Sequence, residues 1–120
     1  MSDIKFIKID KIDEGFLKEI VKRIVNAINP LKIILFGSYA YGIPKKSSDI
    51  DILVVVDNFQ RSKRESRLLI RKALREFLIG KDIIIVSKME LEKWKSIPHA
   101  FISSIAKKGE ILYERQSSVL

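Results

Sequence analysis

The chain has 120 residues, 47% of them apolar, with 23 Lys and Arg against 15 Asp and Glu for a formal charge of +8. That length suits one domain able to bury about two-thirds of its unfolded surface, so a single domain over residues 1–120 is expected, without a second substrate domain. The lack of cysteine excludes a disulfide framework, a thiol nucleophile and a thiolate metal site, and one histidine, His99, cannot make a multi-histidine zinc centre; any metal must be held by oxygen.

The first element is an arm, residues 1–12, where Ile4, Phe6, Ile9 and Ile12 alternate loosely among charged neighbours. It is expected to lie extended against the body. From Asp13 to Asn29 the residues Phe16, Leu17, Ile20, Val21, Ile24, Val25 and Ile28 recur at three- and four-residue steps, the period of an amphipathic helix. Asn29-Pro30 ends it, because proline cannot continue the hydrogen-bond ladder. Lys32 to Phe36 and Asp49 to Asp57 are β-branched and aromatic runs predicted as strands. Between them Tyr39 to Ser48, with Gly42, Pro44 and a Lys-Lys-Ser-Ser stretch, reads as a loop with one helical turn at its start.

Arg61 to Leu78 is predicted as a helix with a core face of Leu69, Ile70, Ala73, Leu74 and Phe77 and a basic face of Arg64, Arg67, Arg71, Lys72 and Arg75. Gly80 is expected to close it, and Lys81-Asp82 to open a third strand, Ile83 to Val86. Met89 to Ser96 and His99 to Lys108 read as short helices broken by Pro98, followed by a brief Ile111–Tyr113 strand and a frayed tail, residues 116–120. The longest apolar runs, Ile52 to Val56 and Ile83 to Val86, fall far short of the ~20 residues a membrane span needs, and no signal-peptide core is present. A soluble, cytoplasmic protein with no membrane partner is expected, and the positive balance points to an anionic one.

Asp49 and Asp51 are the most informative pair. Two carboxylates two residues apart on a strand point to the same face with Cα atoms roughly 6–7 Å apart, a separation suited to sharing metal ions held ~3.5–4 Å apart. Asp57 lies some 20 Å further along such a strand and is not a ligand of the same ions. Asp51 borders the apolar run Ile52 to Val56, where an unpaired carboxylate is costly. A calcium loop is excluded by Leu53 and Val54. Gly37-Ser38, after a strand, permits close backbone approach, and its N–H groups and hydroxyl can receive phosphate oxygens. Gly37 and Gly42 do not form a Walker A loop, because Ile43-Pro44 stand where Lys and Ser/Thr belong. His99 is assigned to the surface, and Trp94 and Phe101 to the core in preference to a base-stacking platform.

A strand, Gly37-Ser38, ten intervening residues and Asp49-Ile50-Asp51 opening a strand of Leu and Val together resemble the signature of the DNA polymerase β-type nucleotidyltransferase superfamily. The string LFGSYAYG…SDIDILVVV in a short chain is similar to its minimal nucleotidyltransferase branch. The resemblance runs from the helix before Pro30 through the third strand. It implies an α/β (α+β) polymerase β-like fold, a small mixed sheet with helices mainly on one face and the Asp pair exposed on the other. By the same resemblance Asp49 and Asp51 bind Mg²⁺, two ions for which Mn²⁺ can substitute, and Gly37 and Ser38 hold the triphosphate of ATP. The family's third carboxylate matches Asp82 at the head of DIIIV, as base or further metal ligand. Tyr39 and Tyr41 stand where an Arg is common in relatives, which moves the expected phosphate contacts to Lys45 and Lys46, with Ser48 beside them.

The implied function is Mg²⁺-dependent transfer of a nucleoside monophosphate, AMP from ATP, to a hydroxyl of a partner, a HEPN-domain protein to which this chain would be the antitoxin. Two alternatives stay open: a catalytically silent module that neutralises its partner by occlusion, and RNA binding through the basic face, where seven basic and two acidic residues lie between Arg61 and Glu76. Homo-oligomerisation is left open as well.

Overall fold

A computed structural model describes residues 5–9, 12–44, 48–57, 61–97 and 100–116. The arm contributes β1, Ile7–Lys8. Helix α1, Glu14–Ile28, starts where the Asp13 carboxylate accepts the Phe16 N–H at 2.8 Å, and ends where Asn29 enters the left-handed region at φ 47°, a conformation asparagine tolerates better than most residues. Ile20, Ile24 and Ile28 form its buried face. Strand β2, Lys32–Phe36, leads through Gly37 into the single turn α2, Ser38–Tyr41. Then follow β3, Ile50–Val56, and α3, Lys63–Leu74, whose Ser62 hydroxyl caps the Glu65 N–H at 3.1 Å.

Here the sequence expectation is corrected. The helix stops at Leu74, and Phe77–Leu78 is a strand, β4, paired in parallel with β1. Phe77 is on the core side in either conformation, so periodicity does not separate the two; the arm supplies the backbone partner that decides. The Phe77 ring packs edge-on against Phe16, centroids 5.2 Å apart, beneath the Arg23 guanidinium at 4.5 Å. Gly80 therefore caps no helix; it immediately precedes β5, Lys81–Ser87. Ser87 and Glu90 then form a capping box that opens α4, Lys88–Lys95. Helix α5, Phe101–Lys108, and strand β6, Glu110–Glu114, complete the order.

The main sheet has strand order β5-β3-β2-β6, with β3 and β5 parallel and the other pairs antiparallel. The long helices α1 and α3 cover one face, burying Ile24 and Ile70 against Ile52, Val54 and Ile85. The short helices α4 and α5 pack on the other, where Leu91 and Ile105 meet Ile34, Leu53 and Val55. Because alternate strand residues face opposite sides, Asp51 shares the α4–α5 face with Leu53 and Val55. Trp94 and Phe101 are not core residues: they are 39% and 59% exposed. Helices of eight residues bury only one or two positions each, here Leu91 in α4 and Ser103 and Ile105 in α5, and the aromatics lie off those positions. No helix among the described residues is long and apolar enough to cross a membrane.

Candidate functional site

Three aspartates, Asp49, Asp51 and Asp82, lie at the end of the sheet where β3 and β5 begin. In the parallel pairing of β3 with β5, Asp51 is the direct partner of Asp82, which puts their Cα atoms about 4.8 Å apart, the ordinary interstrand spacing. Asp49 precedes β3 and is exposed, as is Asp82, while Asp51 is half-buried. Across the other edge of β3, Asp51 pairs with Phe36, the last residue of β2. The Gly37-Ser38 turn thus starts one residue beyond the strand position that faces Asp51.

Two glycines leave the space the carboxylates occupy. Gly37 has φ +73°, and a Cβ there would overlap the Asp51 carboxylate; a Cβ on Gly80 would overlap that of Asp49. Any side chain at Gly37 is disfavoured twice, by backbone conformation and by the close approach. Its carbonyl accepts the N–H groups of Ala40 and Tyr41 at 3.0 and 3.1 Å and so winds α2. The N–H groups of Ser38 and Tyr39 have no partner among the described residues, which leaves two donors at a turn beside the carboxylates.

The electrostatics are one-sided. The Asp51 carboxyl is raised above its usual value first by burial, then by Asp82, then by Asp49. Among the described residues none of the three carboxylates takes part in an ion pair or hydrogen bond. The nearest cation in sequence is engaged elsewhere: Lys81 donates to the carbonyls of Phe77 and Ile79 at 2.7 and 2.9 Å, and burial lowers its pKa. An uncompensated group of hard oxygen donors on adjacent strands suits a divalent cation in donor type and charge. Asp49 is turned over Gly80 and Asp51 over Gly37, and no three acidic or histidine side chains among the described residues already converge as a metal cage.

Ser48 is half-buried, with its backbone carbonyl accepting the Tyr39 hydroxyl at 3.4 Å; this bond ties the end of the loop to α2 and keeps Ser48 near the site. Lys45, Lys46 and His99 lie outside the described residues. The basic face stands apart: Arg64, Arg71 and Lys72 are exposed on α3 and Arg75 at its C-cap, on the sheet face opposite Asp51. Sequence reasoning missed Gly80, mistaken for a helix cap, and Phe36. A glycine two residues before Asp82 was the available signal for the first. For Phe36 the register alone reveals it.

A family model described as "Polymerase beta, Nucleotidyltransferase" matches residues 18–118. A candidate protein adenylyltransferase of Methanocaldococcus jannaschii is 33% identical over 91 residues, which cover 72% of this chain and 60% of the relative; the chain thus spans about three-fifths of that relative's length. Among solved structures, a candidate nucleotidyltransferase of Sulfolobus solfataricus superposes with a TM-score of 0.54 at 23% identity, covering 82% of this chain and 78% of the other. A toxin–antitoxin structure with AMP-PNP gives a TM-score of 0.57 at 24% identity, covering 83% and 74%. These structural likenesses extend to the fold.

Proposed function

We propose that this chain, which belongs to the polymerase β nucleotidyltransferase family, transfers AMP from ATP to a hydroxyl of a partner protein, using Asp49, Asp51 and Asp82 opposite the Gly37-Ser38 turn. The observation that carries the reading is the placement of Asp51, half-buried, beside Asp82 in register, and next to the turn at Gly37, with no cation among the described residues paired to it. The relative named as a candidate protein adenylyltransferase supports a protein acceptor, and the toxin–antitoxin neighbour with AMP-PNP supports a nucleotide donor and a toxin as partner. The minimal branch of the family and a HEPN-type toxin are the specific forms this takes.

Asp49 and Asp51 would hold Mg²⁺ or Mn²⁺. A divalent ion held there would supply charge to lower the pKa of the acceptor hydroxyl and to offset the α-phosphate and the departing pyrophosphate. The Ser38 hydroxyl and the N–H groups of Ser38 and Tyr39 bind phosphate oxygens, assisted by Ser48 and by Lys45 and Lys46. The acceptor oxygen forms its bond to the α-phosphorus as the bond from that phosphorus to the bridging oxygen breaks and pyrophosphate leaves. Asp82 takes the hydroxyl proton. Holding these groups in line is the main contribution left to the protein.

The test supplies ATP labelled in the α-phosphate, with Mg²⁺, to the wild type and to the Asp49→Asn, Asp51→Asn double variant, each bound to the product of the neighbouring open reading frame. Label on the partner with the wild type alone is the expected result. An unlabelled partner that still binds would overturn transfer in favour of neutralisation by occlusion.

A further inference from the structure

We propose that the exposed ring of Phe101 is the platform on which the nucleobase of the bound nucleotide stacks. This rests on the nucleotide reading of the carboxylate site and names the donor contact that reading leaves open.

Phenylalanine is among the residues most often buried, yet Phe101 is 59% exposed at the first turn of α5. Its position along the sheet is fixed at two points. The ring meets Phe36 edge to face, centroids 5.8 Å apart at 84°; one turn further on, Ile105 is fully buried in the cluster that holds Ile34 and Leu53. At the far end of the helix, Gly109 lies against Ile34 and Leu35. Both ends of α5 therefore lie near the Leu35–Phe36 end of β2, where β6 begins opposite Leu35, and the contact with Phe36 is what places the Phe101 ring at the carboxylate end.

Phe36 links that ring to the chemistry. It pairs with Asp51 and immediately precedes Gly37, so Phe101 stands one aromatic ring away from both the carboxylate and the phosphate turn, on the same sheet face. A nucleotide with its phosphates at Gly37-Ser38 must lay its base somewhere on that end of the molecule, and an exposed, fixed ring is the kind of surface that receives one. Tyr41, also exposed and in α2, makes no ring contact among the described residues that would orient it. Pre-orientation by Phe36 means little freedom is lost on stacking. A phenyl ring also offers no hydrogen bond by which to discriminate bases, so ATP and GTP should bind alike.

The experiment measures binding to the full chain, with Mg²⁺ and without acceptor, of two probes: ATP and inorganic tripolyphosphate. Phe101→Ala is expected to weaken ATP roughly 5- to 100-fold and to leave tripolyphosphate unchanged, while Phe101→Tyr restores ATP. Melting curves confirm that each variant is folded. Unchanged ATP binding in Phe101→Ala overturns the proposal and leaves the ring as a contact for a protein partner. Equal weakening of both probes overturns it too, since Phe101 would then act through the shape of the phosphate turn. If the wild type binds neither probe, the nucleotide reading itself fails; if it binds tripolyphosphate as tightly as ATP, only the base platform fails.

Discussion

Asp51 opposes the fold that holds it. Its carboxyl is raised above the ordinary 3.8 by burial and by two like charges, so its ionised form is disfavoured in the folded state relative to the unfolded one. For an acid with a raised folded pKa the penalty is absent below about pH 3.8, grows as the pH climbs to the folded value, and is full above it. Asp51→Asn in metal-free protein is accordingly expected to melt higher at pH 7, by ~1–3 °C, with the gain gone at pH 3. Thermal melts in chelator at the two pH values check this, and a lower melting temperature at pH 7 would contradict it. Gly80 acts on Asp49 in a different way. A Cβ at Gly80 displaces the Asp49 carboxylate, so Gly80→Ala should reduce transfer roughly 10- to 100-fold through misplacement while melting within a few degrees of wild type. Equal activity in that variant would show that Asp49 is free to sit elsewhere. Of the site, the Asp49–Asp51 spacing and the Gly37-Ser38 turn were legible as a string. The two glycine clearances were not, because they depend on which side chain lies over which backbone.

At the scale of elements, the periodic helices and the strands between Asp13 and Val86 were legible because each carries a long apolar pattern of one period. The ambiguous stretches were short. Phe77 occupies a core position whether the chain is helical or extended, and only pairing with Ile7 and Lys8, far away in sequence, distinguishes the two. The β1–β4 pair is small, yet Phe77 joins α1, the arm and the end of α3 through Phe16 and Arg23. Arg23 is held in turn by Glu19 at 3.0 Å and by Glu76. Phe77→Ala should cost about 3–5 kcal/mol, as truncations of buried aromatics do, and should expose the arm to limited proteolysis before the rest of the chain. Denaturant melts and a digestion time course measure both; a loss below about 1 kcal/mol would mean that the aromatic contact does not anchor the arm. In α4 and α5 each helix is too short for a stripe to declare itself, so composition alone places Trp94 and Phe101 in a core from which the structure excludes them.

Across the whole molecule, charge is segregated by the sheet. Exposed Arg64, Arg71 and Lys72 on α3, with Arg75 at its C-cap, lie on one face, and the three carboxylates open the strands at one end of the sheet, with Asp51 directed to the other face. Among the described residues the positive excess is not paired with the carboxylates, and a long-range anion-attracting field coexists with a local cation-attracting one. The helical and strand patterns fixed which residues are apolar and buried; strand order and register, which bring Asp82 beside Asp51, are tertiary facts that no local pattern encodes.

Asp49 and Asp51 are proposed to hold a divalent ion together with a nucleotide. The most direct measurement is electron paramagnetic resonance of Mn²⁺ titrated with ATP into the wild type and the Asp49→Asn, Asp51→Asn double variant. Mn²⁺ immobilised on the protein in the presence of ATP by the wild type, and lost in the variant, is the predicted result. Equal retention of the ion by both proteins would place the metal–nucleotide site elsewhere and rule out Asp49 and Asp51 as its ligands.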